Sequence, residues 1–194
     1  RRTSATKPDR EALTTMAKED PRQPALLWVD LEMTGLDAAV DRVLEVAVVI
    51  TGLDYRERQV WESAVYQPPE VLAGMNAWCQ EHHGASGLTA RVPDGLTEAV
   101  VDATVAGLVE ATWGDVPAIL CGNSIHQDRK FIDRYFPQTA ARLHYRMLDV
   151  SALKVLFRER HGITFEKRNP HRALDDIRES IAELRHYESF IRVS

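Results

Sequence analysis

Leu27-Trp28-Val29-Asp30-Leu31-Glu32-Met33-Thr34-Gly35-Leu36 is the stretch on which the reading of this chain turns. It is an apolar segment that stops at a Thr-Gly pair, the pattern of a strand running into a turn. Strand side chains alternate with period two, so Asp30 and Glu32 share one face while Leu27, Val29, Leu31 and Met33 share the other. An isolated Asp-x-Glu also occurs on ordinary exposed strands, where it is a pair of surface acids. Here the strand is otherwise core-like, and two like charges held together raise each other's pKa, a repulsion that a bound divalent cation removes.

Working outward, Leu26 to Met33, Val43 to Thr51 and Gln59 to Tyr66 read as three strands separated by turns around Gly35-Leu36-Asp37 and Gly52-Leu53-Asp54. Short connections of this kind predict an antiparallel meander. A helix is expected over Val71 to Glu81, and another from Thr97, a suitable N-cap, with Val101, Val105, Leu108 and Val109 at helical spacing. Ala118 to Cys121 is a short strand entering Gly122-Asn123-Ser124, and Gln127 to Tyr135 a helix that stops before Pro137. Tyr145 to Val150 reads as a fifth strand, with Ser151 placed to cap a helix through Arg160. A last helix carries Ala173, Leu174, Ile177, Ile181 and Leu184 on one stripe. Strands first, then alternating helices and strands, predict an α/β fold with a mixed sheet and helices packed on it.

A chain of 194 residues, 44% of them hydrophobic, suits one domain with a sizeable core. Residues 1–24, with Pro8, Pro21 and Pro24 and little apolar periodicity, are expected to form a flexible N-terminal extension, and residues 25–194 the folded domain. The extension's first residues, with Arg1, Arg2 and Lys7 before any acid, resemble the stub of a mitochondrial transit peptide, which Met16 as an internal start would skip. Cytoplasm is therefore the expected compartment, with the mitochondrion open. Cys79 and Cys121 belong to no Cys-x-x-Cys pair, which argues against a zinc knuckle and for buried free thiols. The longest apolar run, Val46 to Ile50, falls far short of the roughly 20 residues that span a bilayer. With 29 Asp and Glu against 24 Lys and Arg, the net charge of -5 gives no global sign of a duplex-binding or anionic-membrane protein and disfavours extended nucleic acid.

Two further acidic clusters stand out. Asp128 opens a helix behind the Gly122-Asn123-Ser124 turn, a place that the helix dipole favours for any acid. In His171-Arg172-Ala173-Leu174-Asp175-Asp176, His171 and Asp175 lie on one helical face, while His171 and Asp176 converge only if His171 sits at or before the helix start. Asp175 can equally pair with Arg178 on the surface. Spacing leaves both aspartates open.

Four segments in this order, Trp28 to Leu36, Gly122-Asn123-Ser124 with Gln127-Asp128, His144-Tyr145-Arg146 with Leu148-Asp149-Val150-Ser151, and His171 to Ile177, closely resemble the oligoribonucleases. These are DEDDh exonucleases with a ribonuclease-H-like fold, and the resemblance covers Leu26 to Ile191. It implies a mixed five-stranded sheet with its first three strands antiparallel, flanked by helices. Asp30, Glu32, Asp128 and Asp176 are then the metal-binding acids for two divalent cations, Mg²⁺ or Mn²⁺, and His171 the general base. The family's His-x-x-x-x-Asp pattern selects Asp176 over Asp175. The implied reaction is 3′-to-5′ removal of 5′-mononucleotides from very short RNA, dinucleotides above all, by a homodimer. Leu36 matches a wedge between the two bases, Trp78 and His83 the base and phosphate pocket, and Ser124, Arg146 and Ser151 a cap on the 5′ phosphate. Tyr145 matches a residue reaching into the partner subunit's site. By residue type alone, Trp78 and Tyr145 equally suit core or interface aromatics, and His83 a solvated helix end. A proofreading-type DNA nuclease and a catalytically idle RNA-binding module are the alternatives. The 5′-cap residues argue against the first and the intact acids against the second.

Overall fold

The computed structural model describes residues 24–166 and 172–192. A five-stranded sheet in the order β3-β2-β1-β4-β5 forms the centre. Strands β1 (Ala25–Met33), β2 (Val43–Gly52) and β3 (Glu57–Ala64) pair antiparallel. Strands β4 (Ala118–Gly122) and β5 (Leu143–Asp149) continue the sheet in parallel with β1. This is the mixed sheet with an antiparallel first half that the sequence predicts.

Both faces of the sheet are covered, which explains why β1 and β2 read as near-continuous apolar runs rather than alternating ones. On one face Leu27, Val29 and Leu31 pack with Val46, Val48 and Ile50 under α4 (Glu98–Trp113) and α5 (His126–Tyr135), through Val101, Val105, Val109, Phe131 and Ile132. On the other, Leu26, Trp28, Ala47 and Val49 meet Ala173, Ile177, Ile181 and Leu184 of α8 (Ala173–Glu188) and Phe157 of α7 (Val150–His161). Each of the larger aliphatic and Phe side chains, fully buried, contributes roughly 1.5–3 kcal/mol. Trp28, wholly buried, donates its indole N–H to Thr51 Oγ1 at 3.1 Å, so its one polar atom is satisfied. By strand alternation Asp30 and Glu32 lie on the same face as Trp28, the face that α8 covers.

Several elements differ from the sequence reading. The helix expected over Val71 to Glu81 is two, α1 (Pro69–Ala73) and α2 (Ala77–Ala85), because Asn76 is extended and its side chain accepts from Cys79 N at 2.9 Å, restarting the helix. Short helices α3 (Leu88–Arg91) and α6 (Pro137–Ala140), single turns too brief to show periodicity, were not expected. Strand β3 begins two residues earlier than Gln59 and ends before Val65, and β5 begins at Leu143 rather than Tyr145. The cap of α7 is Asp149, not Ser151: Asp149 is extended and its Oδ1 accepts from Ser151 N at 2.9 Å. Thr97 caps α4 as expected, its Oγ1 accepting from Val100 N. Cys79 and Cys121 are buried free thiols. No helix among the described residues is long and apolar enough to cross a membrane. The expected extension falls outside the described residues except for Pro24.

Candidate active site

Strand β1 presents Asp30 and Glu32, and the first turn of α8 lays Asp176 over them. One carboxylate oxygen from each of the three lies within 4.8 Å of the others. Asp175, the other candidate, is half exposed, with Arg178 Nη1 4.0 Å away. The geometry thus brings Asp176, and not Asp175, to the strand acids. Helix α8 starts at Ala173 with Arg172 extended, so His171 precedes the helix, the condition under which it and Asp176 can converge. His171 itself lies outside the described residues.

Asp128, in the first turn of α5, is buried, and its Oδ1 accepts the backbone N–H of Leu31 at 3.0 Å. The β1–β4 pairing reaches only as far as Trp28. Beyond it a side-chain acceptor is needed for the buried Leu31 N–H, and Asp128 supplies it. This bond locks the start of α5 to the acid-bearing strand.

Two of these acids, Glu32 and Asp128, resist ionisation in the half-dry site. Burial, reinforced by Asp176, Glu45 and Asp128, raises Glu32 to about 7. Burial likewise raises Asp128 to about 7, against the lowering effect of the Leu31 hydrogen bond. Ligands that offer only oxygen suit a hard divalent ion such as Mg²⁺ or Mn²⁺.

Beside Glu32 a cleft of about 640 Å³ is lined by Leu31, Met33, Gly35, Leu36, Trp78 and His83, among others. Leu36 stands exposed at its edge, held by a bond from Gln127 Nε2 to the Leu36 carbonyl at 2.5 Å. The turn carrying it is pinned by Asp41, which accepts from Thr34 Oγ1 and Asp37 N. A side chain at Gly35 would collide with that carboxylate. Trp78 is 59% exposed and stacks on His82 with ring centroids 3.9 Å apart. It is therefore an open aromatic platform and not a core residue. His83, by contrast, is buried: Nε2 faces the Met33 carbonyl at 2.9 Å, and Nδ1 lies 3.8 Å from Glu32 Oε2. A carbonyl only accepts, so Nε2 carries the proton and Nδ1 is turned to the acid.

At the end of β4, Ser124 adopts φ 50°, a left-handed conformation uncommon for serine. Its backbone N–H is met by Asp149 Oδ1 at 2.9 Å and Ser151 Oγ at 2.8 Å, and the two hydroxyls lie 3.1 Å apart. Ser124 and Ser151 thus come together across the ends of β4 and β5. Tyr145 and Arg146 lie on β5, an edge strand, with the guanidinium 5.0 Å from the ring centroid and Tyr145 73% exposed. Neither lines the Trp78 cleft.

Sequence reasoning missed Glu45. It lies directly opposite Glu32 in the β1–β2 register, wholly buried, with Arg91 bonded to Oε1 and Arg172 Nη2 3.9 Å from it. The available signal was an acid inside the otherwise apolar run Val43 to Ile50. Asn123 and Glu183 were also missed; they link the Ser124 turn to α8 through bonds described below.

The sheet order, with a strand-borne acid pair faced by an acid from the last helix, defines an exonuclease of the ribonuclease-H-like class. A family model described as Exonuclease matches residues 27–184. The fold is similar to that of E. coli Exonuclease I in complex with a dT13 oligonucleotide (TM-score 0.64, 16% identity, 86% of this chain and 41% of that one) and to a product-bound exonuclease I (TM-score 0.65, 15% identity, 87% and 44%). This chain thus spans less than half of that protein. Similarity is much greater to the oligoribonuclease of Francisella tularensis subsp. tularensis strain WY96-3418, at 48% identity over 84% of this chain and 93% of that one. The oligoribonuclease of Pseudomonas aeruginosa strain PAO1 is 44% identical over 87% of this chain and 97% of its own. The chain belongs to the oligoribonuclease family.

Proposed function

We propose that this protein degrades very short RNA, dinucleotides above all, from the 3′ end to 5′-mononucleotides. The observation that carries the reading is the meeting of Asp30, Glu32 and Asp176, two from a strand and one from a helix. With Asp128 they form the set that would hold two divalent cations, Mg²⁺ or Mn²⁺. Cations bound there supply an activated water and charge stabilisation at the scissile phosphate and the leaving 3′ oxygen.

The chain's own residues do the rest. His171, just ahead of the helix that carries Asp176, takes the attacking water's proton as a neutral imidazole. Trp78 offers its exposed face to one base, and stacking on a π-face is indifferent to sequence. Leu36, exposed at the cleft edge, separates that base from its neighbour. His83, bonded to the Met33 carbonyl and facing Glu32, serves the phosphate pocket beside the β1 acids. Ser124, Ser151 and Arg146 cap the 5′ phosphate, and a capped end obstructs longer RNA. Charge-assisted bonds from hydroxyl and guanidinium donors are the strong class. The working unit is a homodimer, with the exposed ring of Tyr145 on the edge strand reaching the partner's site. The buried thiols suit the reducing cytoplasm. Import of a fusion carrying residues 1–24 would place it in the mitochondrion instead.

Turnover of end-labelled RNAs from two to ten nucleotides with Mg²⁺ tests the reading. Dinucleotides are expected to be cleaved fastest. No cleavage, or faster cleavage of the ten-mer, refutes it.

A further inference from the structure

A polar chain runs from the buried side of helix α8 to the exposed Ser124 turn. Asn123 Nδ2 donates to Glu183 Oε2 at 2.9 Å and to Ser180 Oγ at 2.8 Å, and its Oδ1 accepts from Ser151 Oγ at 3.1 Å. Two groups set the direction of this chain. The Glu183 carboxylate, wholly buried and receiving the Tyr187 hydroxyl at 3.1 Å, can only accept. Ser180 gives its proton to the Asp176 carbonyl at 2.8 Å and so meets Asn123 as an acceptor. The amide of Asn123 therefore points its NH₂ into α8 and its oxygen at Ser151.

The consequence lies at the turn. Ser151 has one hydroxyl proton, and Asn123 Oδ1 holds it, while a lone pair of the same oxygen receives the Ser124 N–H. A phosphate oxygen needs donors. Ser124 is exposed, and its proton is free to rotate between Ser151 Oγ and a ligand. Turning the Ser151 proton outward would instead leave Asn123 Oδ1 facing a lone pair, an unmade bond in a half-buried place.

We propose that Glu183, acting through Asn123, is a positioning residue that fixes the hydrogen-bond polarity of this turn, making Ser124 the direct donor to the substrate's terminal phosphate and Ser151 a scaffold oxygen. This rests on the reading of the turn as the 5′-phosphate cap. The same bonds tie the cap to the helix that carries Asp176, so recognition of the end and the acid cluster share one rigid support.

The test is the phosphate preference, the ratio of kcat/KM for a 5′-phosphorylated dinucleotide to that for the same dinucleotide with a 5′ hydroxyl. Ser124→Ala is expected to lower the preference roughly ten-fold or more, the scale of one hydrogen bond to a charged group. Ser151→Ala is expected to lower it by a smaller factor. Glu183→Gln removes the fixed acceptor of the Asn123 NH₂; with the Ser180 proton turned from the Asp176 carbonyl to Asn123 Oδ1, Asn123 Nδ2 donates to Ser151 and frees the Ser151 proton to replace Ser124's. In that background Ser124→Ala should cost less than about three-fold on the same scale. Circular dichroism and thermal unfolding report that each variant is folded. Should Glu183→Gln fail to fold, the two serine variants still decide. A larger loss from Ser151→Ala than from Ser124→Ala, or an undiminished Ser124→Ala effect in the Glu183→Gln background, overturns the assignment while leaving the cap reading intact. A wild-type preference near one overturns both.

Discussion

Replacing Glu32 by Gln will stabilise the metal-free protein above neutral pH while removing its activity. The magnitude follows from the site. Glu32 is raised from its ordinary 4.5 to about 7, chiefly by burial and then by Asp176, Glu45 and Asp128. Its side chain is only 21% exposed, so solvent screens little of this. At about 1.4 kcal/mol per pKa unit, ionising the group inside the fold costs about 3 kcal/mol. Below pH 4.5 the carboxyl is protonated in folded and unfolded chains alike and contributes nothing. Between 4.5 and 7 the unfolded chain has released the proton and the folded one has kept it, so stability falls as pH rises. Above 7 the whole cost is present. Urea unfolding in EDTA, followed by tryptophan fluorescence, should therefore show no advantage of the variant at pH 4.5 and about 3 kcal/mol at pH 8, roughly 6–12 °C in Tm for a chain of this size. Saturating Mg²⁺ should reverse the order at pH 8, because the ion binds only the folded wild-type site tightly. An equal advantage at both pH values, or a less stable variant at pH 8 without metal, would refute the reasoning.

Three further outcomes are expected. Asp176→Asn should cut kcat/KM by a factor on the order of 10²–10³ or more and weaken Mn²⁺ binding in calorimetry, whereas Asp175→Asn, altering only a surface contact with Arg178, should stay within a few-fold. His171→Ala should lower kcat by roughly 10²–10⁴ with Mn²⁺ affinity unchanged; near-wild-type turnover would remove its assignment as base. Trp78→Ala should lower kcat/KM for dinucleotides by about 5- to 150-fold, the equivalent of one base stack, without changing thermal stability by more than about 1 kcal/mol, since the ring is exposed.

What was legible along the chain was what depends on local period and local chemistry. Strands β1 and β2 announce themselves because their apolar runs serve a sheet covered on both faces, and α4 begins at Thr97 as its cap requires. Apolar periodicity failed where a side-chain bond, local or distant, decides. Asn76 breaks the helix expected over Val71 to Glu81 with its own side chain, a competition that apolar periodicity does not register. Asp149 rather than Ser151 caps α7 because the same carboxylate also receives the Ser124 N–H, from a turn 25 residues away in sequence. Glu45 looks like an interruption in a core strand until β2 is set against β1 and Arg91 is brought to it.

The sequence by itself determined that Asp30 and Glu32 share a strand face, that a polar turn follows β4, and, through its ordered motifs, which family the chain resembles. Spacing left Asp175 and Asp176 open; the resemblance selects Asp176, and the tertiary structure brings it to those acids while Asp175 faces Arg178. Only the tertiary structure decided that Trp78 is open and His83 closed, and that the Ser124 turn is wired through Asn123 to Glu183. Alternation along a strand follows from the geometry of each residue and its nearest neighbours. Where a helix starts over a sheet, and which buried carboxylate sets the direction of a distant hydroxyl, follow from contacts between segments that only folding brings together.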